Sequence, residues 1–419
     1  MKHKIALLGL GTVGLGTYQL IEKNAEIIRE NTGAEVEVKY ALVKNADKKR
    51  PVPSEVLTTD FEKIVNDPEI ELVAEAMGGT DPALSYALAV LNAGKGYVTA
   101  NKELISKHWE ELEQAAEKTG AALYFEASVA GAVPVIKAVM DSLSANHITG
   151  VMGIINGTTN YILSKMSEEG MDYADALKQA QDLGYAEPDP KNDVEGYDVQ
   201  FKLAILASLA FNKRVKVDNI LREGITKVSA DDIRTAKELG YGIKMLAIGK
   251  QVGDEVEVRV HPTMIPLDHP LNSVSGPFNA VYADTDAAGQ LMFYGRGAGD
   301  FPTASALLSD VLTALTEDKH RRYGFLKNEQ AKVMDDFTSS YFIHTEATDK
   351  PNVLASAARI LGEKGVSIAA VMQRGQEKDG RVPLVFITHQ TTEKALMSAV
   401  KEIEATEYFT IRNIIRVER

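Results

Sequence analysis

The run Lys4-Ile5-Ala6-Leu7-Leu8 passes directly into Gly9-Leu10-Gly11-Thr12-Val13-Gly14. No other stretch of the chain restricts its fold as strongly. The apolar run reads as a buried strand. The glycine pattern G-x-G-x-x-G then stands where that strand turns into a helix reaching about Glu30. The first glycine permits the tight turn, the second lets a pyrophosphate approach the backbone, and the third lets helix pack on strand. The helix N-terminus adds amide donors and the positive end of its dipole. Gly9, Leu10, Gly11, Thr12, Val13 and Gly14 are therefore candidate dinucleotide-binding residues.

The pattern continues as alternating strands and helices. Glu35–Val43 is the next strand. At its end an NAD site usually carries an acid for the ribose hydroxyl. Here Lys44-Asn45 follow, and then Lys48-Lys49-Arg50, which favours a 2′-phosphate, hence NADP, with Lys44 as a candidate contact. Ile70–Met77 reads as a strand ending at Gly78-Gly79, Pro82 to about Gly94 as a helix, and Tyr97–Ala100 as a strand. Asn101-Lys102 lie just past that strand, at the edge where open α/β sheets bind ligands. A lysine is disfavoured at a helix N-terminus, so Lys102 asks for a reason. It is a candidate to contact nicotinamide, substrate or both. Ala121–Glu126 and a helix to about Leu143 complete a doubly wound, Rossmann-like parallel sheet over residues 1–144.

From Ala145 the texture changes to longer strands with helices between them. The prediction for 145–299 is an α+β unit with a largely antiparallel sheet, suited to substrate binding and to dimerisation. Within it lies Gly184-Tyr185-Ala186-Glu187-Pro188-Asp189-Pro190, stiffened by two prolines. It feeds a helix predicted over Val194–Phe211. Asp198 and Lys202 share one face of that helix, and the apolar run Leu203–Phe211 should carry Lys202 inward. A partly buried lysine beside carboxylates suits proton transfer. After the turn Gly295–Asp300, an apolar helix within 300–317 should pack back on the first sheet. Residues 318–339 read as a linker with some helix. Residues 340–419 show the order βαββαβ, a ferredoxin-like sheet with two helices on one face.

Composition excludes several classes. A net charge of −13 over 419 residues argues against nucleic acid or an anionic membrane as partner. The chain has no cysteine, so disulfide and thiolate chemistry are out, which fits a reducing, cytoplasmic setting. Its eight histidines have no ligand spacing for zinc. The apolar N-terminal run breaks at the glycines and lacks a cleavage site, so it is not a signal peptide.

Together these pieces resemble the homoserine dehydrogenase family across essentially the whole chain. The resemblance is carried by Gly184–Pro190, Asp193, Gly196-Tyr197-Asp198 and Lys202, and by Ile155-Asn156-Gly157-Thr158-Thr159-Asn160-Tyr161. It implies NAD(P)H-dependent reduction of L-aspartate 4-semialdehyde to L-homoserine, and the reverse, in threonine, methionine and isoleucine biosynthesis. By the same resemblance Lys202 is the proton donor and Asp198 orients it. Glu187 holds the substrate ammonium, with Tyr185, Asp193 and Asp198 completing the substrate set. Lys102 serves the active site, and Gly184 and Gly299 lie beside the cofactor. Glu126, Val129, Gly131 and Val133 match a structural monovalent-cation site, usually sodium; read from the residues alone, Glu126 could equally cap the following helix. The C-terminal unit looks like an ACT domain, an amino-acid-sensing module. Its usual Asp-Lys-Pro-Gly stands here as Asp349-Lys350-Pro351-Asn352, and asparagine tolerates the left-handed turn. Feedback inhibition by an amino acid, threonine first, follows as an expectation, as does a homodimer or homotetramer. Deleting 340–419 is expected to abolish that inhibition and spare activity. A fusion with an aspartate kinase is not expected, since no kinase region precedes Gly9. The competing readings are an NADP-dependent enzyme for another semialdehyde or oxo acid, and a non-catalytic amino-acid sensor.

Overall fold

Residues 2–317, 329–373 and 380–418 are described by the structure, a computed structural model. The N-terminal sheet is parallel, with strands β1 (Lys2–Leu8), β2 (Glu35–Leu42), β3 (Leu57–Thr58), β4 (Ile70–Glu75), β5 (Gly96–Thr99) and β6 (Leu123–Tyr124) in the order β3-β2-β1-β4-β5-β6. Its inner strands, Ile5–Leu8 of β1 with β4 and β5, are largely buried on both sides because both faces are covered. Ile5, Leu7, Leu72 and Val98 pack with Leu307 and Val311 of the helix Asp300–Thr316. Ala6, Leu8, Val73 and Tyr97 pack on the other side with Val90 and Leu104. The helix after the glycine turn is broken at Asn24 into Thr12–Lys23 and Ala25–Thr32. The sixth strand is shorter than its apolar run suggests, because Glu126–Ser128 tightens into a 3₁₀ turn. The helix expected to reach Leu143 is a short turn, Val135–Lys137, followed by a π-helical stretch, Ala138–Ser142.

The second sheet contains β7 (Ile148–Ile154), β8 (Leu221–Arg222), β9 (Tyr241–Val252), β10 (Glu255–Pro266), β11 (Phe278–Thr285) and β12 (Gly289–Arg296). The antiparallel order β12-β11-β7-β9-β10 forms its body, and β8 adds to β10 in parallel. The helix predicted over Val194–Phe211 is two helices. Lys191–Val194 ends before Gly196, whose φ of 83° is left-handed, and Tyr197–Phe211 follows. The left-handed φ favours glycine there, and a Cβ would also press on the movable end of Met245, 2.7 Å from its Cε. The helix Tyr197–Phe211 is apolar nearly all round because it lies between the second sheet and the helix Lys102–Thr119.

Of the expected linker, 318–328 lies outside the described residues. The part that follows is tied down: Arg214 N–H donates to Glu329 O, Ala331 N–H donates back to Arg214 O, and β13 (Lys332–Val333) pairs β10 in parallel. The C-terminal unit runs β14 (Thr338–Thr348), helix Val353–Glu363, β15 (Ile368–Gln373), β16 (Arg381–Thr388), β17 (Thr391–Thr392), helix Glu393–Glu404 and β18 (Phe409–Val417). Its main sheet has the order β18-β14-β16-β15. Tyr341, Ile343, Leu384 and Phe386 pack under the two helices. Asn352 takes φ 70° at the start of the first of them.

This unit is not a pendant. Arg416-Val417 of β18 pair in parallel with Thr263-Met264 of β10, so one sheet runs through both units. The middle sheet is therefore not the free-standing antiparallel sheet with two open edges that its sequence suggests. Buried ions stitch the seam. Arg416, 1% exposed, pairs with Glu223 and Glu393, and Arg259, 0% exposed, pairs with Glu257 and Glu418. No helix among the described residues is long and apolar enough to cross a membrane.

Candidate active site

The carboxyl ends of β1, β4 and β5 open onto a cleft whose opposite wall is the second sheet and its helices. Two adjoining compartments, of about 500 and about 530 Å³, share Val13, Ala100, Lys102, Asp193 and Asp198. The glycine turn forms one end. Gly9 has φ 93° and donates its N–H to Leu42 O, which sets the end of β2 beside the turn. A Cβ on Gly14 would stand 2.0 Å from Gly9 O, whereas one on Gly11 would meet nothing within 4 Å. Gly14 is thus demanded by the fold, and Gly11 leaves open space at the N-cap of the helix Thr12–Lys23, where a phosphate can sit. Thr12, Val13, Gly184 and Gly299 line the cleft, while Lys44 is exposed in the loop after β2. Leu10 packs against the core of the first sheet.

Asp198 is the centre of the site. It is 6% exposed and three groups converge on it. Lys202 Nζ donates to its Oδ2 at 2.7 Å, Asn156 Nδ2 donates to the same oxygen at 2.8 Å, and Lys102 Nζ lies 3.2 Å from Oδ1. Burial alone would push the Asp198 carboxyl up. The two ammonium groups and the Asn156 amide outweigh burial and hold it well below the usual carboxylate range. The charge of Asp198 in turn raises Lys102. This contact answers why a lysine opens the helix Lys102–Thr119: it reaches across the cleft to the other wall. Lys202 also donates to Ile155 O at 2.8 Å. An ammonium has three donors, so one remains for an oxygen in the cleft.

Asp193 lies beside this cluster and accepts from Asn156 Nδ2 at 2.7 Å. Burial, and then repulsion from Asp198, push its carboxyl up. Glu187 stands exposed at the rim, and Tyr185 is 42% exposed with its ring 4.9 Å from that of Tyr161. The proline-stiffened loop is fixed by the Thr158 hydroxyl, which donates to Tyr185 O at 2.6 Å.

Asn156 was legible only as part of a motif, without a role. It caps the helix Gly157–Glu169 through Oδ1, which accepts from Thr159 N–H at 2.8 Å, and it spends its amide on two acids. A sequence signal for the cap existed, since asparagine before a helical run is a favoured N-cap. The bridging of Asp193 and Asp198 had none. The turn Met77–Gly79 at the floor was likewise missed as a site element. Buried Glu75 holds it by accepting from the Met77 and Gly78 amides, and also accepts from Thr99 Oγ1 at 2.6 Å.

Glu126 is 2% exposed and accepts from the Ile136 and Lys137 amides at 2.9 and 2.7 Å. The capping role is therefore realised. Burial, reinforced by Asp310, lifts its carboxyl to about 7. Ala130 and Gly131 beside it are left-handed, with φ 57° and 61°.

A Rossmann-like sheet whose glycine turn opens into a cleft with a lysine–aspartate–lysine cluster defines a dinucleotide-dependent oxidoreductase. Family profiles described as "Homoserine dehydrogenase, NAD binding domain" and "Homoserine dehydrogenase" match residues 9–126 and 134–312. The homoserine dehydrogenase of Corynebacterium glutamicum is 42% identical over 426 residues, covering 99% of this chain and 95% of that one. The crystal structure of a homoserine dehydrogenase from Thiobacillus denitrificans superposes with a TM-score of 0.93 at 38% identity, covering 100% of this chain and 98% of that one. A hyperthermophilic archaeal homoserine dehydrogenase in complex with NADPH gives a TM-score of 0.64 at 25% identity, covering 77% of this chain and 100% of that one. The chain belongs to the homoserine dehydrogenase family, whose members are NAD(P)-dependent oxidoreductases.

Proposed function

We propose that the chain reduces L-aspartate 4-semialdehyde to L-homoserine, and runs the reverse, with Lys202 as the proton donor. The observation that carries this reading is the convergence of Lys202, Lys102 and Asn156 on buried Asp198 inside the cleft. The nicotinamide supplies the hydride when bound. Reduction of the aldehyde leaves an alkoxide that needs one proton, and Lys202 gives it from the N–H that Asp198 and Ile155 leave free. Ionised Asp198 keeps Lys202 and Lys102 in the cleft, and their positive charge stabilises the developing alkoxide. Glu187 and Asp193 supply negative charge for the substrate ammonium, with Tyr185 at the same wall.

The cofactor is assigned to Gly9–Gly14, Lys102, Gly184 and Gly299, with NADP preferred through Lys44 at the end of β2. A monovalent cation, sodium, is assigned beside Glu126. A buried carboxyl lifted to about 7 by burial and Asp310 gains from a counter-charge, and the carbonyls of Val129, Gly131 and Val133 are hard oxygen donors on the adjoining turn. The βαββαβ unit is assigned as an ACT module for an amino-acid effector, threonine first. A homodimer is assigned through the outer strand β12, where Met292 and Tyr294 are 40% and 53% exposed; light scattering tests it.

The test is NADPH oxidation with L-aspartate 4-semialdehyde by wild type and Lys202→Ala. Turnover that falls by orders of magnitude with NADPH binding retained supports the assignment. Equal activity in the variant moves the proton to Lys102 or a water, and absence of turnover in wild type refutes the substrate.

A further inference from the structure

Lys244 is a buried cation that the reaction does not use. It lies on β9, is 7% exposed, and donates to Val274 O at 2.7 Å. It forms no ion pair among the described residues, although burial lowers its pKa to about 8. Its one hydrogen-bond acceptor is neutral, and the Glu168 carboxylate supports its charge only through space, so the buried ammonium gains from an anion in direct contact. It faces a cavity of about 330 Å³, separate from the catalytic cleft. Glu168, Lys237 and Ser275 stand at the mouth of that cavity, while Leu163 and Ile243 give it apolar wall. One cation at the floor, one carboxylate at the rim and an apolar side match the three parts of a small zwitterion.

We propose that this cavity is a second small-molecule site, taking a compact amino acid with its carboxylate on Lys244 and its ammonium toward Glu168, and that residues 274–277 report its occupancy to the catalytic cleft. The link is short and continuous. Val274 O accepts from both Lys244 and Asn160, and Asn160 Nδ2 also donates to Gly276 O at 3.0 Å. Gly276 N–H donates to Ser164 Oγ at 3.1 Å. Pro277 then lines the catalytic cleft, and its carbonyl oxygen lies 2.9 Å from where a Cβ on Gly157 would stand. Gly157 follows Asn156, which holds Asp198. A ligand carboxylate takes the N–H groups of Lys244 that Val274 O leaves free and draws the ammonium toward the cavity, so binding lengthens the bond to Val274 O and loosens the first residue of this connection. Coupling between sites requires such a differential contact.

The experiment is calorimetric titration of the full chain with L-alanine, L-valine, L-threonine, acetate and inorganic phosphate. It is run on wild type, Lys244→Met, Ser275→Trp and Lys202→Ala. At least one amino acid binds wild type saturably. Affinity falls at least tenfold in Lys244→Met and in Ser275→Trp, which blocks the mouth from an exposed position. It persists in Lys202→Ala, which separates the site from the catalytic one. The same amino acid changes the KM for aspartate semialdehyde in wild type and not in Lys244→Met. No saturable binding by any of the three amino acids overturns the proposal. So does unchanged affinity of every amino acid in both cavity variants, the result an ACT-module site alone would give, or acetate and phosphate binding as tightly as the amino acids. An unchanged KM at saturation overturns the coupling.

Discussion

Replacing Asn156 by serine separates its two duties. Serine is as good an N-cap as asparagine, so the helix Gly157–Glu169 keeps its start. A hydroxyl is too short to reach both Asp193 and Asp198, which the amide meets at 2.7 and 2.8 Å. A hydrogen bond to a charged group is worth about 1.5–3 kcal/mol. If only the bond to Asp198 is felt in the transition state, kcat/KM falls about 10- to 100-fold. The pH profile moves as well. Asp193 is already raised by burial and by Asp198, and the Asn156 amide opposes that rise. Without the amide Asp193 rises further, so it is neutralised earlier as pH falls, and the acid limb of kcat/KM shifts to higher pH. Asp198 keeps both ammonium partners and stays ionised. The assay is NADPH oxidation across pH, with thermal unfolding as the control for folding. Asn156→Ala should show the same kinetic loss and about 1 kcal/mol lower stability from the missing cap. Wild-type kcat/KM with an unmoved acid limb in Asn156→Ser would refute the bridging role.

Gly11→Ala should fold as wild type but bind NADPH at least tenfold more weakly by fluorescence titration, since its Cβ meets only the space a phosphate would fill. Gly14→Ala should instead lose stability, because its Cβ would overlap Gly9 O, and equal melting temperatures for the two would contradict this. Glu126 has a folded pKa raised to about 7. The stability it contributes is full below about 4.5, its ordinary value, and lost as pH rises through about 7, a difference of about 3 kcal/mol. Sodium should therefore raise the melting temperature more at pH 8 than at pH 5, and Glu126→Gln should remove both the pH and the sodium effect. Arg416→Met leaves Glu393 without its buried cation and should cost about 3–5 kcal/mol in urea unfolding. Truncation before β14 strips a strand from β10 and exposes Phe342-, Ile415- and Val417-facing surface. It should yield aggregated, inactive protein on size exclusion, and an active monodisperse fragment would disprove the role of the seam.

This truncation prediction departs from the expectation, drawn from sequence alone, that residues 340–419 can be deleted with activity spared. The order βαββαβ can be read from local periodicity, because each strand and helix of 338–418 is written in its own residues. The pairing of Arg416-Val417 with Thr263-Met264 is not. It joins segments some 150 positions apart, and no local pattern marks which edge a strand will take. The helix Tyr197–Phe211 makes the same point in reverse. Its apolar run announced burial, and Lys202 is indeed turned inward, 12% exposed on its side chain. Yet what stands against the left-handed break at Gly196, Met245 of β9 and Val260 of β10, is supplied only by the assembled sheet.

The sequence by itself determined the parts whose chemistry is local. These are the glycine turn, whose spacing is set by backbone sterics, the carboxylate loop stiffened by prolines, and the i,i+4 pair of Asp198 and Lys202. The tertiary structure decided what those parts face. Lys102 comes from the first sheet and Asn156 from the second, and they meet at Asp198 because the two sheets close on one helix. Asp198 is depressed by ammonium groups that outweigh its burial, one of them Lys102 from far away in sequence, and Glu126 is raised by burial and by distant Asp310. Electrostatic environment is a property of distance in space, and distance in space is what a linear pattern of residues leaves open.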